Sequence, residues 1–214
     1  MRKKQKHRLF NLIAPIYGLF FNRQKKKYQK IVSIMKDELD VSSYQSILDV
    51  GCGTGALCSV LEEEGLKVTG VDPAYKMLKV ARKKTKKSTI TFVQADSTKG
   101  LPFEDDSFDL VIASYVAHGL QIEERKSLYQ EMSRIAKDKV IIYDYNENRA
   151  PLTTFVEFME GGDYFQFIQY PAVEMEDCET DMKRCFKDVK TVNVDIRASW
   201  YICTPYKDKG SKQK

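Results

Sequence analysis

The chain has 214 residues, 43% of them hydrophobic and 30% charged, which fits one compact soluble domain with a sizeable core. Five cysteines without a C-x-x-C spacing and only two histidines, His7 and His118, argue against a zinc site; the odd cysteine count and the lack of a cleavable signal argue for a reducing, cytoplasmic compartment. The net charge of +5 belongs to one end: residues 1–36 hold eleven Lys and Arg and no acid, whereas the remainder, with 24 basic and 30 acidic residues, is net negative.

Between the basic flanks lies a mostly apolar run from Leu9 to Phe21. It is too short to cross a bilayer, Pro15 interrupts it, and no small-residue cleavage site follows. Two uses remain: peripheral contact with an anionic membrane, or a lid packed on the rest of the chain. A basic amphipathic helix is predicted from about Arg23 to Leu39, with Tyr28, Ile31, Val32, Met35 and Leu39 on one face. Strand one ends at Val50 and a helix runs to about Glu64. Strand two ends at Val71, and a lysine-rich helix covers Ala74 to Lys86. Ile90 to Gln94 reads as strand three, and Phe108 to Ala113, apolar on both faces, as a central parallel strand. Glu123 to Ala136 reads as helix and Lys139 to Asp144 as strand five.

An insertion at about 150–187 follows. It holds a short helix at Thr153 to Met159, a glycine turn, an aromatic stretch with Tyr164, Phe165 and Phe167, and a helix from about Val173 to Phe186. Val189 to Ile196 and Trp200 to Thr204 alternate well, and their short link predicts a hairpin and an antiparallel edge. The polar, lysine-rich tail, 206–214, is expected to be disordered. The expected fold is α/β: a Rossmann-like, doubly wound, seven-stranded sheet, mostly parallel with an antiparallel last strand. Residues 1–42 form an N-terminal helical lid and 43–205 the main domain.

The chemistry concentrates in Asp49-Val50-Gly51-Cys52-Gly53-Thr54-Gly55-Ala56, where an apolar run ends in a glycine turn before a helix. Glycines let backbone approach a ligand closely, and the helix start turns N–H groups and a positive dipole end toward it. Gly51, Gly53 and Ala56 also satisfy the dinucleotide pattern G-x-G-x-x-G/A, so an NAD-linked oxidoreductase is one alternative. Asp49 tips the balance, because a carboxylate in the crevice repels a pyrophosphate and welcomes an ammonium or sulfonium group. Asp72, closing the next apolar run, is placed to accept both hydroxyls of a ribose.

With Asp-x-Gly-x-Gly-x-Gly at 49–55, Asp72 after strand two, Asp96 after strand three, and Leu101-Pro102-Phe103-Glu104-Asp105-Asp106-Ser107-Phe108-Asp109 leading into strand four, the chain resembles the class I S-adenosylmethionine (SAM)-dependent methyltransferases, in their small-molecule branch. Over about 43–145 the resemblance implies SAM as cofactor and S-adenosylhomocysteine (SAH) as product. It puts the methionine moiety at Asp49, Gly51 and Gly53, the ribose at Asp72, and the adenine at Asp96 and Ser97, near Pro73. Cys52, Gly55, Ser114 and Tyr17 complete the implied cofactor set. Phe10-Asn11-Leu12-Ile13-Ala14-Pro15-Ile16-Tyr17 is similar to the opening segment of ubiquinone and menaquinone biosynthesis methyltransferases, which favours the lid. Gly18 stands where that group has Asp, and its downstream His and Trp are missing.

Methyl transfer needs alignment and exclusion of water more than acid–base help. If the acceptor is protonated, the candidate bases are His118, Tyr115, and Asp144 or Tyr145, and His118 has the most suitable intrinsic pKa. Tyr145, Tyr164, Phe165 and Phe167 are candidate walls of a pocket for a planar or apolar acceptor, so a small-molecule or lipid-like substrate is expected. The absence of Asn/Asp-Pro-Pro-Tyr and of a Pro-Cys pair disfavours nucleic-acid amino and cytosine C5 chemistry. An RNA methyltransferase, with phosphates held by the basic N-terminus, and a non-catalytic SAM-fold interaction module are further alternatives. No metal is expected.

Overall fold

In the computed structural model, residues 2–146, 171–196 and 198–207 are described, with side chains from Arg8 to Asn146 and beyond Asp177. The predicted aromatic wall at Tyr164, Phe165 and Phe167 lies outside them. Seven strands form one sheet: β1 (Ser46–Val50), β2 (Lys67–Val71), β3 (Thr91–Val93), β4 (Phe108–Ser114), β5 (Ala136–Tyr145), β6 (Phe186–Asp195) and β7 (Ala198–Pro205). Their order is β3-β2-β1-β4-β5-β7-β6, with β7 antiparallel to both its neighbours and every other pairing parallel. The chain winds outward from β1 in one direction and then from β4 in the other, so the sheet switches direction between these two strands. In such sheets ligands bind beyond the carboxyl ends of the strands at that switch.

Six helices are described: α1 (Arg2–Leu19), α2 (Phe21–Met35), α3 (Ala56–Glu63), α4 (Tyr75–Lys84), α5 (Ile122–Ile135) and α6 (Pro171–Cys185). Successive strand residues point to opposite faces and so divide the core in two. Leu48, Val111, Val140, Ile142 and Cys203 pack against Leu128, Tyr129 and Met132 of α5 and Met182 of α6. Ile47, Leu110, Ile112, Ile141 and Trp200 pack against Ile31, Val32 and Met35 of α2 and Leu57, Val60 and Leu61 of α3.

The N-terminus differs from expectation in one respect. A single helix runs through Pro15 instead of breaking there. Pro15 lies on the exposed side, where its missing N–H costs only one helical bond, to the Asn11 carbonyl. The inner face of α1, with Phe10, Ile13, Ala14 and Tyr17, packs on Ala74, Met77 and Val80 of α4. Asn11 Oδ1 accepts from the Lys76 amide at 2.8 Å and satisfies a donor in the first turn of α4. Gly18 is buried, and a Cβ there would lie 3.0 Å from Val80 Cγ1, so the glycine sets how closely α1 sits. At the other end, Tyr206 and Lys207 follow β7. Lys207 reaches Asp106 and the Ala136 carbonyl.

Candidate functional site

A cavity of about 850 Å³ opens where the carboxyl ends of β1 and β4 part. The glycine turn forms its floor. The Gly51 and Cys52 amides both donate to the Val71 carbonyl, at 2.7 and 3.0 Å, folding the turn onto β2. Gly51, at φ +75°, could not carry a Cβ, which would meet Val116 Cγ2 at 2.5 Å. Gly53, at φ +52°, faces open space, so the backbone there is bare toward the cavity. Gly55, which the resemblance put in the cofactor set, is not among the residues that line the cavity. It is at φ +77°, and a Cβ would meet Ala81 and Phe92 at 3.1 Å, so this third glycine serves packing.

Two carboxylates are buried beside the turn. Asp49 is 1% exposed and accepts the Cys58 thiol at 3.1 Å. Burial pushes its carboxyl up to about 7; the Cys58 contact opposes the rise and the negative charge of Asp72 adds to it. Asp72 accepts the amides of Gly53 at 2.9 Å and Ala74 at 2.7 Å. Burial lifts it to about 6 against the pull of those two donors. Two desolvated acids in one crevice favour a cationic group and oppose a pyrophosphate. Cys52, also on the cavity, has its thiol pushed up to about 11 by burial and is no nucleophile at neutral pH.

Asp96, Ser97 and Pro73 reach the cavity from the ends of β3 and β2. Asp96 also caps the 3₁₀ turn at Ser97–Lys99, accepting from the Thr98 amide at 3.1 Å and hydroxyl at 2.7 Å, with Lys99 at 3.2 Å. Burial raises its carboxyl, but these donors bring it below the usual range. Ser114 ends β4 and shares a 3.0 Å hydrogen bond with Tyr28. Tyr17 and Phe10 line the cavity from α1.

His118 and Tyr145 complete the opposite wall with Tyr115. His118 Nδ1 lies 2.8 Å from Asp144 Oδ1, and the His118 amide donates to Asp144 Oδ2 at 3.2 Å. A carboxylate only accepts, so Nδ1 carries a proton toward Asp144, and in the neutral form of the ring the lone pair is then on Nε2. The ring packs edge-on to Tyr145, with centroids 4.9 Å apart. Tyr115, in contrast, is unfit as a base. Burial and its tyrosine neighbours push its phenol far above the ordinary value, and its hydroxyl donates to Tyr143 at 2.9 Å. Its φ of +55° is a left-handed conformation rarely adopted by a bulky side chain.

Sequence reading missed Gln24 and Lys27, which with Tyr28 put an i, i+3, i+4 face of α2 on the cavity. Gln24 accepts from the Thr54 hydroxyl at 3.3 Å, and Lys27 Nζ donates to Tyr115 at 2.9 Å. The polar stripe beside the apolar face of α2 was their available signal. Asp195 and Ile196, at the β6–β7 turn, also line the cavity and had none.

The chain is similar to known proteins in sequence and in fold. A family model described as a methyltransferase domain matches residues 48–143. The demethylmenaquinone methyltransferase of Staphylococcus aureus (strain MRSA252) is 28% identical over 222 residues, covering 92% of this chain and 88% of the relative. That of Paenarthrobacter aurescens (strain TC1) is 32% identical over 152 residues; the match covers 67% of this chain and 56% of the relative's length. Among solved structures, magnesium protoporphyrin IX methyltransferase from Synechocystis PCC 6803, crystallised with bound SAH, superimposes with a TM-score of 0.58 at 17% identity, covering 85% of this chain and 83% of that one.

Proposed function

Because the chain belongs to the class I SAM-dependent methyltransferases, we propose that it methylates a small, flat, apolar acceptor that is deprotonated by His118. The observation that carries this reading is the 2.8 Å His118–Asp144 pair on the wall of the cavity that holds the glycine turn. When bound, SAM supplies a methyl group on a positively charged sulfur, already a good electrophile. The bare backbone at Gly51 and Gly53 and the buried Asp49 suit its methionine end. Asp72 suits the ribose, and Pro73, Asp96 and Ser97 suit the adenine. Residues 1–42 act as the lid, with α1 and α2 closing one side and excluding water.

Asp144 holds the imidazole in the tautomer with Nε2 as acceptor and stabilises the imidazolium that forms when the acceptor loses its proton. Tyr115 and Tyr145 line the cavity with aromatic surface against which a planar acceptor can pack. Demethylmenaquinone, in reduced form, is the first acceptor to try, since the relatives are named for it.

The test is release of SAH in the presence of reduced demethylmenaquinone and simpler quinols. His118→Ala should lower kcat about 10²- to 10⁴-fold, and Asp144→Asn by less, with SAH affinity unchanged in both. The alkaline rise in rate should flatten in His118→Ala. Wild-type turnover in that variant would remove the base assignment.

A further inference from the structure

Helix α1 is apolar on two sides. Its inner side packs on α4, but Leu12, Ile16 and Leu19, spaced i, i+4 and i+7, form a second stripe that faces solvent, and Phe20, just past the helix end, extends it. Leu12 is 72% exposed and Leu19 81%. An exposed apolar stripe of this length is unusual for a surface helix and calls for a covering partner.

The charge around the stripe says which partner. Neither α1, α2 nor α4 contains a single Asp or Glu. Arg8, Arg23, Lys26 and Lys30 are exposed on the first two, and Lys76, Lys79 and Lys83 on the helix against which α1 rests. Apolar side chains set among cations of one sign fit an anionic bilayer, where the apolar side enters the headgroup boundary and the lysines meet lipid phosphates.

We infer that α1 lies in the surface of an anionic membrane through Leu12, Ile16 and Leu19, with Phe20 at its end. The same helix lines the cavity with Phe10 and Tyr17, so it stands between the bilayer and the site. An acceptor with an apolar tail would then pass from lipid to the cavity along α1. This last step rests on the methyltransferase reading above.

The test is co-sedimentation of the full chain with vesicles of phosphatidylcholine alone and of phosphatidylcholine mixed with phosphatidylglycerol. The wild type should be retained by the anionic vesicles only. Leu12→Glu/Leu19→Glu, neither of which touches the cavity, should reduce retention about tenfold or more. Thermal stabilisation by SAH, measured on both proteins, should remain equal, which separates loss of the surface from failure of the cofactor site. Equal retention of the double variant, or no retention of the wild type, would overturn the inference. So would a wild-type dimer that the substitutions convert to monomer, because the stripe would then be a subunit interface.

Discussion

At the scale of single residues, the buried acids govern the site's response to pH. The carboxyl of Asp49 is lifted from 3.8 to about 7 by burial, so protonation favours the folded, ligand-free protein. That contribution is complete below about pH 4 and is lost as pH rises through 7. A cationic ligand beside Asp49 reverses the preference, because it needs the carboxylate. SAH should therefore bind roughly three- to tenfold more weakly at pH 6 than at pH 7.5, and Asp49→Asn should abolish that dependence along with most of the affinity. The same variant should stabilise the ligand-free protein at pH 8 by roughly 2–4 kcal/mol. Calorimetric titration and thermal melts across pH check both, and a less stable variant at pH 8 would show that the buried charge is compensated elsewhere. The position of Asp49 was legible, since it stands two residues before the first glycine. Its contact with Cys58 was not, because that pair depends on the distance at which α3 packs on β1.

At the scale of elements, α1 shows how packing overrides local pattern. A proline inside an apolar run reads as a break, yet the inner face of α1 is continuous from Phe10 to Tyr17 and is buried on α4 as one unit. Burial of that face outweighs one lost backbone bond. Gly18 looked like a departure from a known motif and is instead the close-contact point with Val80. Gly18→Leu should force α1 away, destabilise the protein by about 1–3 kcal/mol, and weaken SAH binding about tenfold as Phe10 and Tyr17 withdraw from the cavity. Unchanged affinity, read by titration, would mean that α1 contributes no wall to the occupied site. The hairpin of β6 and β7 was easier to foresee, because alternation and a short link leave an antiparallel pair as the simplest solution.

At the scale of the whole molecule, ligand binding and folding are linked. SAM or SAH at a hundred times its dissociation constant should add about 2.7 kcal/mol, raising Tm by roughly 5–10 °C, and NAD should add nothing. A rise with NAD alone would overturn the cofactor assignment. The sequence by itself determined the order of strands and helices, the glycine turn, and the acids that close β1, β2 and β3, because each depends on periodicity or on neighbours a few residues apart. Only the tertiary structure decided that Asp144 orients His118, that α2 faces the cavity through Gln24, Lys27 and Tyr28, that Gly55 and Gly18 serve packing, and that α1 leaves a second apolar stripe in solvent. Those facts join residues distant in the chain. They follow from how a twisted sheet sets its helices side by side, a choice made by the burial of whole faces and not by any local run of residues.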